Sequence, residues 1–496
     1  MDASLAFPSL TRPEYPPSPE VFLSALAWST MGARAEDGTH GSLGLTYRGN
    51  EKQAQSYKIV ATDPSRPNVV GEFSSHLQRT SFLGEIDESL QWSGASALAE
   101  ALLGTKPERG RGSTTSAVGY AAALMQNSIG SLVKESPPNF AKLINTIYSL
   151  GSRATQGDSG FPSASHAWFS AAQQMASRPD LSAIEQSLFA TSLTHVLPNV
   201  KSWPPKNATV LDVDLAQKPP IWWEGMHEEV GWFTPFGWFY SAWNNLCSPE
   251  WVAGLPPRRW AGWATCVLRH AIAFAFLWEA NFFVEITRAL LRGSDLNDSA
   301  LSAVSPKAPL ISWSQGSISE MDVKPMTRSL LRAGLACRME ILALVDALSE
   351  RNAESLPALL GALGAALGDD QRLRLSAALT GRTDPPAWRN LQFTVEYALL
   401  DRGSAEATID QYSLLRTVSK RFAHVAPGSD WVVVMAAINA RTPISKLRLG
   451  DMLLGLRRLG LAPRLDFLSR EAERAGLCAS AADGDEGIVI DLGFGR

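Results

Sequence analysis

Apolar residues recur every three to four positions along most of the chain, a period that predicts a mainly helical protein. The first helix is expected just after Ser18, an N-cap residue, with Pro19 at N1 and Glu20 in the first turn. Phe22, Leu23, Leu26, Ala27 and Met31 give it one apolar face. The pattern then switches to alternation over Leu43–Arg48, Tyr57–Thr62 and Val69–Phe73, which predicts a small antiparallel sheet. Residues 1–92 therefore read as a small α+β unit.

The helical period returns at Ser93. Ser93–Leu103, Ala117–Lys134, Asn139–Leu150, Ser165–Ser177 and Ser182–Val196 are the expected helices of a domain over 93–200. Residues 201–324 hold a tryptophan-rich hub and a long helix from Arg258 to Arg292, opened by Pro256-Pro257 and stopped by Gly293. A second helical domain, 325–424, is expected from Pro325–Glu350, Ser355–Leu367, Asp370–Thr380, Pro386–Arg402 and Ala405–Phe422. No fixed repeat of 30–45 residues is present, so the array is not a solenoid.

The tail, 425–496, has the most interpretable pattern. Helices are expected at Asp430–Ala440, Leu449–Leu459 and Pro463–Ala475, the last two joined by the short turn Gly460-Leu461-Ala462. Leu477–Ser480 and Ile488–Leu492 then flank a turn at Asp483-Gly484-Asp485-Glu486-Gly487, a hairpin signal. Three helices followed by a hairpin is the order of a winged helix. The stretches LRLGDMLLGLRRLGLAPRLDFLSREAERAGL and DGDEGIVIDLGF resemble the winged-helix tails of helical accessory subunits in bacterial multi-gene systems, antiviral defence islands among them. The resemblance covers this tail alone. It implies a non-catalytic subunit or scaffold that docks other proteins and contacts DNA or RNA.

Composition narrows the classes. The chain has 496 residues, 45% hydrophobic and 19% charged, with a net charge of −4. That balance gives no global attraction to nucleic acid or anionic lipid, so any such contact needs a local patch. The candidate patches are Lys106, Arg109 and Arg111 in the glycine-rich loop 104–116, and Arg448, Arg457, Arg458 and Arg464 in the tail. Asp466, Glu471, Glu473, Asp483, Asp485 and Glu486 oppose the second patch. Cys247, Cys266, Cys337 and Cys478 are far apart and form no C-x-x-C, which fits a reducing cytoplasm. The N-terminus lacks the pattern of a signal peptide. The most apolar segment, Ala271–Thr287, is interrupted by Glu279 and Glu285 and is read as a buried helix. A cytoplasmic protein with no membrane span is expected.

Ten of the sixteen tryptophans lie between Trp203 and Trp278. Each brings a large apolar area and one N–H that needs a partner when buried, so the region is a packing hub, a pocket or a docking surface. Trp222, Trp223, Trp232, Trp238, Trp243 and Trp251 are expected in loops and short turns ahead of the long helix. Polar residues for a candidate pocket are Glu224, His227, Arg269, His270 and Glu279, with an internal ion pair from Arg269 to Glu279 or Glu285. Gly157-Asp158-Ser159-Gly160 is similar to the nucleophile signature of trypsin-like serine proteases. Without the two β-barrels and upstream histidine that family requires, it reads as a loop. Glu224-x-x-His227 lacks the second such pair of a di-metal helical site, and phosphate-loop and dinucleotide fingerprints are missing, so no metal or cofactor is expected. The leading expectation is thus a protein-docking subunit. Its alternatives are an enzyme with an indole-lined pocket and a module that holds a small ligand against aromatic faces.

Overall fold

The computed structural model describes residues 6–11, 26, 45–49, 57–61, 137–152, 160–181, 219–223, 234–293, 488–490 and, with short gaps, 300–348, 353–401 and 410–477. The predicted helices at 93–103, 117–134 and 182–196, the predicted strand at 69–73, and Lys106, Arg109, Arg111, Glu224 and His227 lie outside the described residues. So does nearly all of the predicted helix after Ser18. Strands β1 (Leu45–Gly49) and β2 (Tyr57–Ala61) pair antiparallel, Leu45 opposite Ala61.

Among the described residues the protein is mainly helical. After α1 (Pro137–Gly151) and α2 (Ala164–Ala176) come α3 (Pro235–Leu246), α4 (Pro249–Gly254) and the long α5 (Pro257–Arg292). The sequence pattern placed Trp238 and Trp243 in loops, but both lie on α3. Thr234 opens that helix by accepting the Gly237 N–H, and Pro235 at N1 presets its first turn. This cap sits only one residue ahead of the aromatic run, which lacks the one-sided period of a surface helix.

Helix α5 is the axle of the molecule. Its 36 residues span about 54 Å at 1.5 Å per residue. Gly293, with φ 64°, ends it in the left-handed conformation that costs glycine least. The helix is apolar on all sides, and a helix of that kind must be buried on all sides. By length and composition it could cross a membrane, yet 94% of its most apolar window is covered by the rest of this chain. Helices α1 and α3 cover one flank. The other is covered by α6 (Lys324–Ala347), α8 (Asp369–Leu379) and α9 (Trp388–Leu399), with α7 (Leu356–Ala365) against it as well. The α5–α6 crossing is very close: a Cβ on Gly334 would lie 2.4 Å from Cα of Ala280.

One expectation about the later chain is corrected. Residues 405–422 were read as a helix. Instead β3 (Leu415–Val418) and β4 (Phe422–Val425) form an antiparallel hairpin around Ser419, whose φ is 52°. Tertiary bonding outweighs the leucine pattern here. Leu414 N–H donates to Leu399 O and Asp401 N–H to Leu415 O, so the hairpin receives the chain leaving α9. Helices α10 (Ser429–Ala437), α11 (Leu449–Leu459) and α12 (Leu465–Arg474) follow close to their expected bounds. Of the hairpin expected between 477–480 and 488–492, residues 478–487 and 491–492 lie outside the described residues. β6 (Val489–Ile490) pairs antiparallel with β5 (Leu447–Arg448), which lies between α10 and α11. Leu477 is in no strand, and 478–480 lie outside the described residues.

The tail is tied to the hub along several lines. Leu310 N–H donates to Gly460 O, and Ile311 bridges to Leu461. Asn245 Nδ2 donates to Ile438 O at 2.8 Å. Buried side chains from Ala6 to Ile490 belong to one continuous core.

Because α5 and α6 meet backbone to backbone, Gly334→Ala should cost about 1–3 kcal/mol of stability by overpacking. A lower urea midpoint with an unchanged m-value is the expected readout. An unchanged midpoint would mean that the crossing has slack.

Candidate functional site

The described tryptophans of the hub are buried and closely packed. Trp168 of α2 stacks on Trp260 of α5 at 4.8 Å and 10°, and on Trp243 of α3 at 5.9 Å and 22°. A second stack joins Trp278, Phe282 and Trp222, with centroids 5.0 and 6.2 Å apart. The indole N–H groups are used with consistency. Trp223 donates to Leu150 O, Trp243 to Ala164 O, Trp251 to Ala440 O, Trp260 to Leu246 O and Trp278 to Val304 O, all at 2.8–3.0 Å. Trp222 donates to Ala6 O at 2.8 Å, fastening an irregular N-terminal segment into the core. Phe7 of that segment is fully buried, with Phe283 at 5.6 Å and Phe282 at 6.0 Å.

The three described members of the candidate pocket are all buried, but they are not brought together. Arg269 and Glu279 are ten residues apart on one helix, about 15 Å along its axis and on different faces. Each finds a different partner, which corrects the expected ion pair. The Arg269 guanidinium meets Asp410 at 2.9 Å and donates to Ala398 O at 2.8 Å and Leu400 O at 3.3 Å. It therefore satisfies carbonyls at the C-terminal end of α9, where a cation is favoured. Glu279 accepts the Leu10 N–H at 2.9 Å and pairs with Arg338 of α6 at 3.5 Å; Arg338 also donates to Ser9 Oγ. Glu285, the other expected partner of Arg269, pairs with Arg288 instead.

His270 has a definite tautomer. Trp431 of α10 can only donate, and its Nε1 lies 2.7 Å from His270 Nε2, so that nitrogen is the acceptor. Nδ1 then carries the proton and donates to Cys266 O at 2.7 Å. Burial, reinforced by the Arg269 charge beside it, pushes the imidazole down to about 3, so it is neutral across the physiological range. With its lone pair held by an indole, His270 positions α10 against α5. The described thiols are equally structural: burial drives Cys266 and Cys247 well up, and Cys337 up to about 11.

Asp410, Arg338, Trp431 and the Ser9-Leu10 segment had no local signal, since their partners lie 59 to 329 residues away. A clue was nevertheless present: a buried arginine and a buried glutamate on one apolar helix each demand an opposite charge from elsewhere. Among the described residues no three His, Cys, Asp or Glu side chains converge as metal ligands. A described cleft, lined by Thr327, Val395, Leu399 and Leu415 among others, has a volume of about 10 Å³, room for about one water. It lies at α6, α9 and β3, and none of its lining residues is a tryptophan.

In the tail, Arg464 makes a two-pronged pair with Asp466 at 3.1 and 3.3 Å, and Arg474 pairs with Glu471 at 2.8 Å. Arg464 and Arg470 both lie over the Phe467 ring. Arg448 and Arg457 are exposed, at the two ends of α11, and Arg458 is partly covered. No protein-family model matches the chain, and no curated protein matches it either.

Two outcomes follow from the buried polar groups. An unfolded histidine protonates near pH 6.5 while native His270 stays neutral to about pH 3. The unfolded chain therefore binds one more proton over that window, and stability falls as pH drops from 6.5 toward 3, by up to about 1.4 kcal/mol per unit. His270→Leu should lose about 1–3 kcal/mol at pH 7 by stranding the Trp431 N–H, and should flatten the acid slope by one proton. Urea titrations at several pH values check both; parallel slopes in the two proteins would disprove the titration. Arg269→Leu should cost about 3–5 kcal/mol, and the double variant with Asp410→Leu should recover part of that loss. Purely additive losses would mean the pair is not coupled.

Proposed function

We propose that this protein is a non-catalytic docking subunit of a larger assembly, and that its tail is a winged helix turned toward protein partners. The order α10, β5, α11, α12, β6 supports the fold reading. A strand between the first two helices pairs with a strand beyond the third, as it does in a winged helix, and Gly460 makes the tight turn from α11 to α12 with φ 103°. The tail's resemblance to accessory subunits of bacterial defence systems suggests the kind of assembly, a defence or genome-maintenance complex.

The observation that carries the docking reading is the tail's surface chemistry. Three large apolar side chains stand exposed there: Ile444 (74%), Val489 (50%) and Leu454 (39%). Arg464 and Arg474 are meanwhile paired with Asp466 and Glu471. Exposed apolar side chains beside arginines already paired with acids suit a protein partner better than a phosphate backbone. The buried polar residues fit the same role, because Arg269, His270 and Glu279 all hold the frame together. An enzyme reading would need groups outside the described residues, Glu224 and His227 first.

The double variant Ile444→Asp with Val489→Asp should lose the protein partners that co-purify with the wild-type chain from its own cells. Its urea midpoint should stay within the roughly 0.5 kcal/mol typical of surface changes. Retention of every partner by this variant would refute docking through the tail.

A further inference from the structure

The hairpin β3–β4 gathers basic side chains and no acid. Between Asp410 and Asp430 the sequence holds Arg416, Lys420, Arg421 and His424, with neither Asp nor Glu among them. Arg416 stands directly opposite His424 in the ladder. Opposed residues of an antiparallel pair share one face, with Cβ atoms about 5 Å apart. Alternation sends the buried Leu415 and Ala423 to the other face, where they line the cleft beside α6 and α9. Val418 and Phe422 lie on the same face as Arg416 and His424. The Arg421 guanidinium lies over the Phe422 ring at 5.1 Å. The turn that brings it there passes through Ser419, whose φ of 52° is a left-handed conformation that a non-glycine residue rarely adopts.

Two nitrogens of the facing pair, Arg416 Nε and His424 Nδ1, are buried and have no hydrogen-bond partner among the described residues. A buried polar atom without a partner is expensive, and two on opposed residues ask for one shared acceptor. Each side chain as a whole is only half-buried, so an acceptor can arrive from solvent. The charge says which kind. Among the described residues no carboxylate pairs with Arg416, Arg421 or His424. The acid bonded to the hairpin is Asp322, and its Oδ1 accepts the backbone N–H groups of Ala423 and Lys324. Two guanidinium groups and an imidazole on one face match a phosphate group, with three free oxygens and a charge of about −1.5 to −2. We propose that this face of the hairpin binds a terminal phosphate, free or at the end of a small ligand. Arg416 Nε–H and the N–H of His424 Nδ1 donate to two of its oxygens, and Arg421 meets the third. This site stands apart from the tail and does not rest on its docking role.

Isothermal titration of the full chain with inorganic phosphate and with methyl phosphate, at constant ionic strength, tests this. Both should bind at a single site, and the tighter of the two identifies the free ion or the ester as the fitting form. Dimethyl phosphate, with fewer free oxygens and a single charge, should bind more weakly, and so should acetate. Arg416→Gln and His424→Leu should each weaken phosphate binding roughly tenfold or more, as expected for losing one charge-assisted hydrogen bond. Arg416→Lys, which keeps the charge but lacks the Nε donor, should fall between Arg416→Gln and wild type. Saturating phosphate should raise the urea midpoint of the wild type but not that of the Arg416→Gln, His424→Leu double variant. The Ile444→Asp, Val489→Asp variant should bind phosphate like wild type, so the site and the tail can fail separately. No phosphate binding by the wild type would overturn the site and leave water as the partner of the two nitrogens. So would unchanged binding by the Arg416→Gln, His424→Leu variant, or acetate or dimethyl phosphate binding as tightly as phosphate.

Discussion

The rest of the structure depends on one constraint: carbonyl groups carried into a dry interior must find donors that do not bring water with them. A long helix apolar on every side has to be wrapped, and the wrapping segments are short helices and loops whose ends carry unpaired carbonyls. Tryptophan meets both demands at once. Its ring fills the volume beside α5, and its single N–H reaches a carbonyl at the end of a neighbouring element. Leu150 and Leu246 accept in the last turns of α1 and α3, Ala440 just beyond α10, and Val304 at the end of a helical turn. The density of indoles in the middle of the chain is therefore a consequence of how many helix ends meet there.

The two buried charges on α5 obey the same logic. Arg269 gathers the end of α9 and the chain beyond it, and Glu279 gathers the N-terminal segment and α6. Each costs desolvation, offset for Arg269 by Asp410 and two backbone carbonyls and for Glu279 by Arg338 and one backbone N–H. A charge used in this way fixes which segment docks where, something a leucine in the same place could not do. His270 does likewise for α10, with a neutral ring made rigid by a donor on one side and an acceptor on the other.

Much of the helical frame was legible in the sequence because its signals are local. Proline at N1 and glycine at C′ marked α5 to within a residue, and α11 matched its expected bounds. The misses share a cause. The hairpin at 415–425 is fixed by its bonds to the end of α9, and the β5–β6 pair joins segments on either side of α11 and α12, so leucine spacing at 405–422 pointed to a helix and β5 had no local signal. For the candidate site, burial of Arg269, His270 and Glu279 could be inferred from their apolar neighbours, but their partners could not.

The buried N-terminal segment has a consequence for how the chain is made. Phe7 packs on Phe282 and Phe283, and Leu10 is held by a glutamate 269 positions later. At roughly 5–20 residues per second, a ribosome needs on the order of a quarter of a minute to a minute to separate the two. Through that interval an apolar Ala-Phe-Pro-Ser-Leu stretch has no groove to enter, and closing so long a loop is slow even afterwards. A segment synthesised well ahead of its partner helix thus has to wait for α5 before it can fold, and during that wait it is open to chaperones.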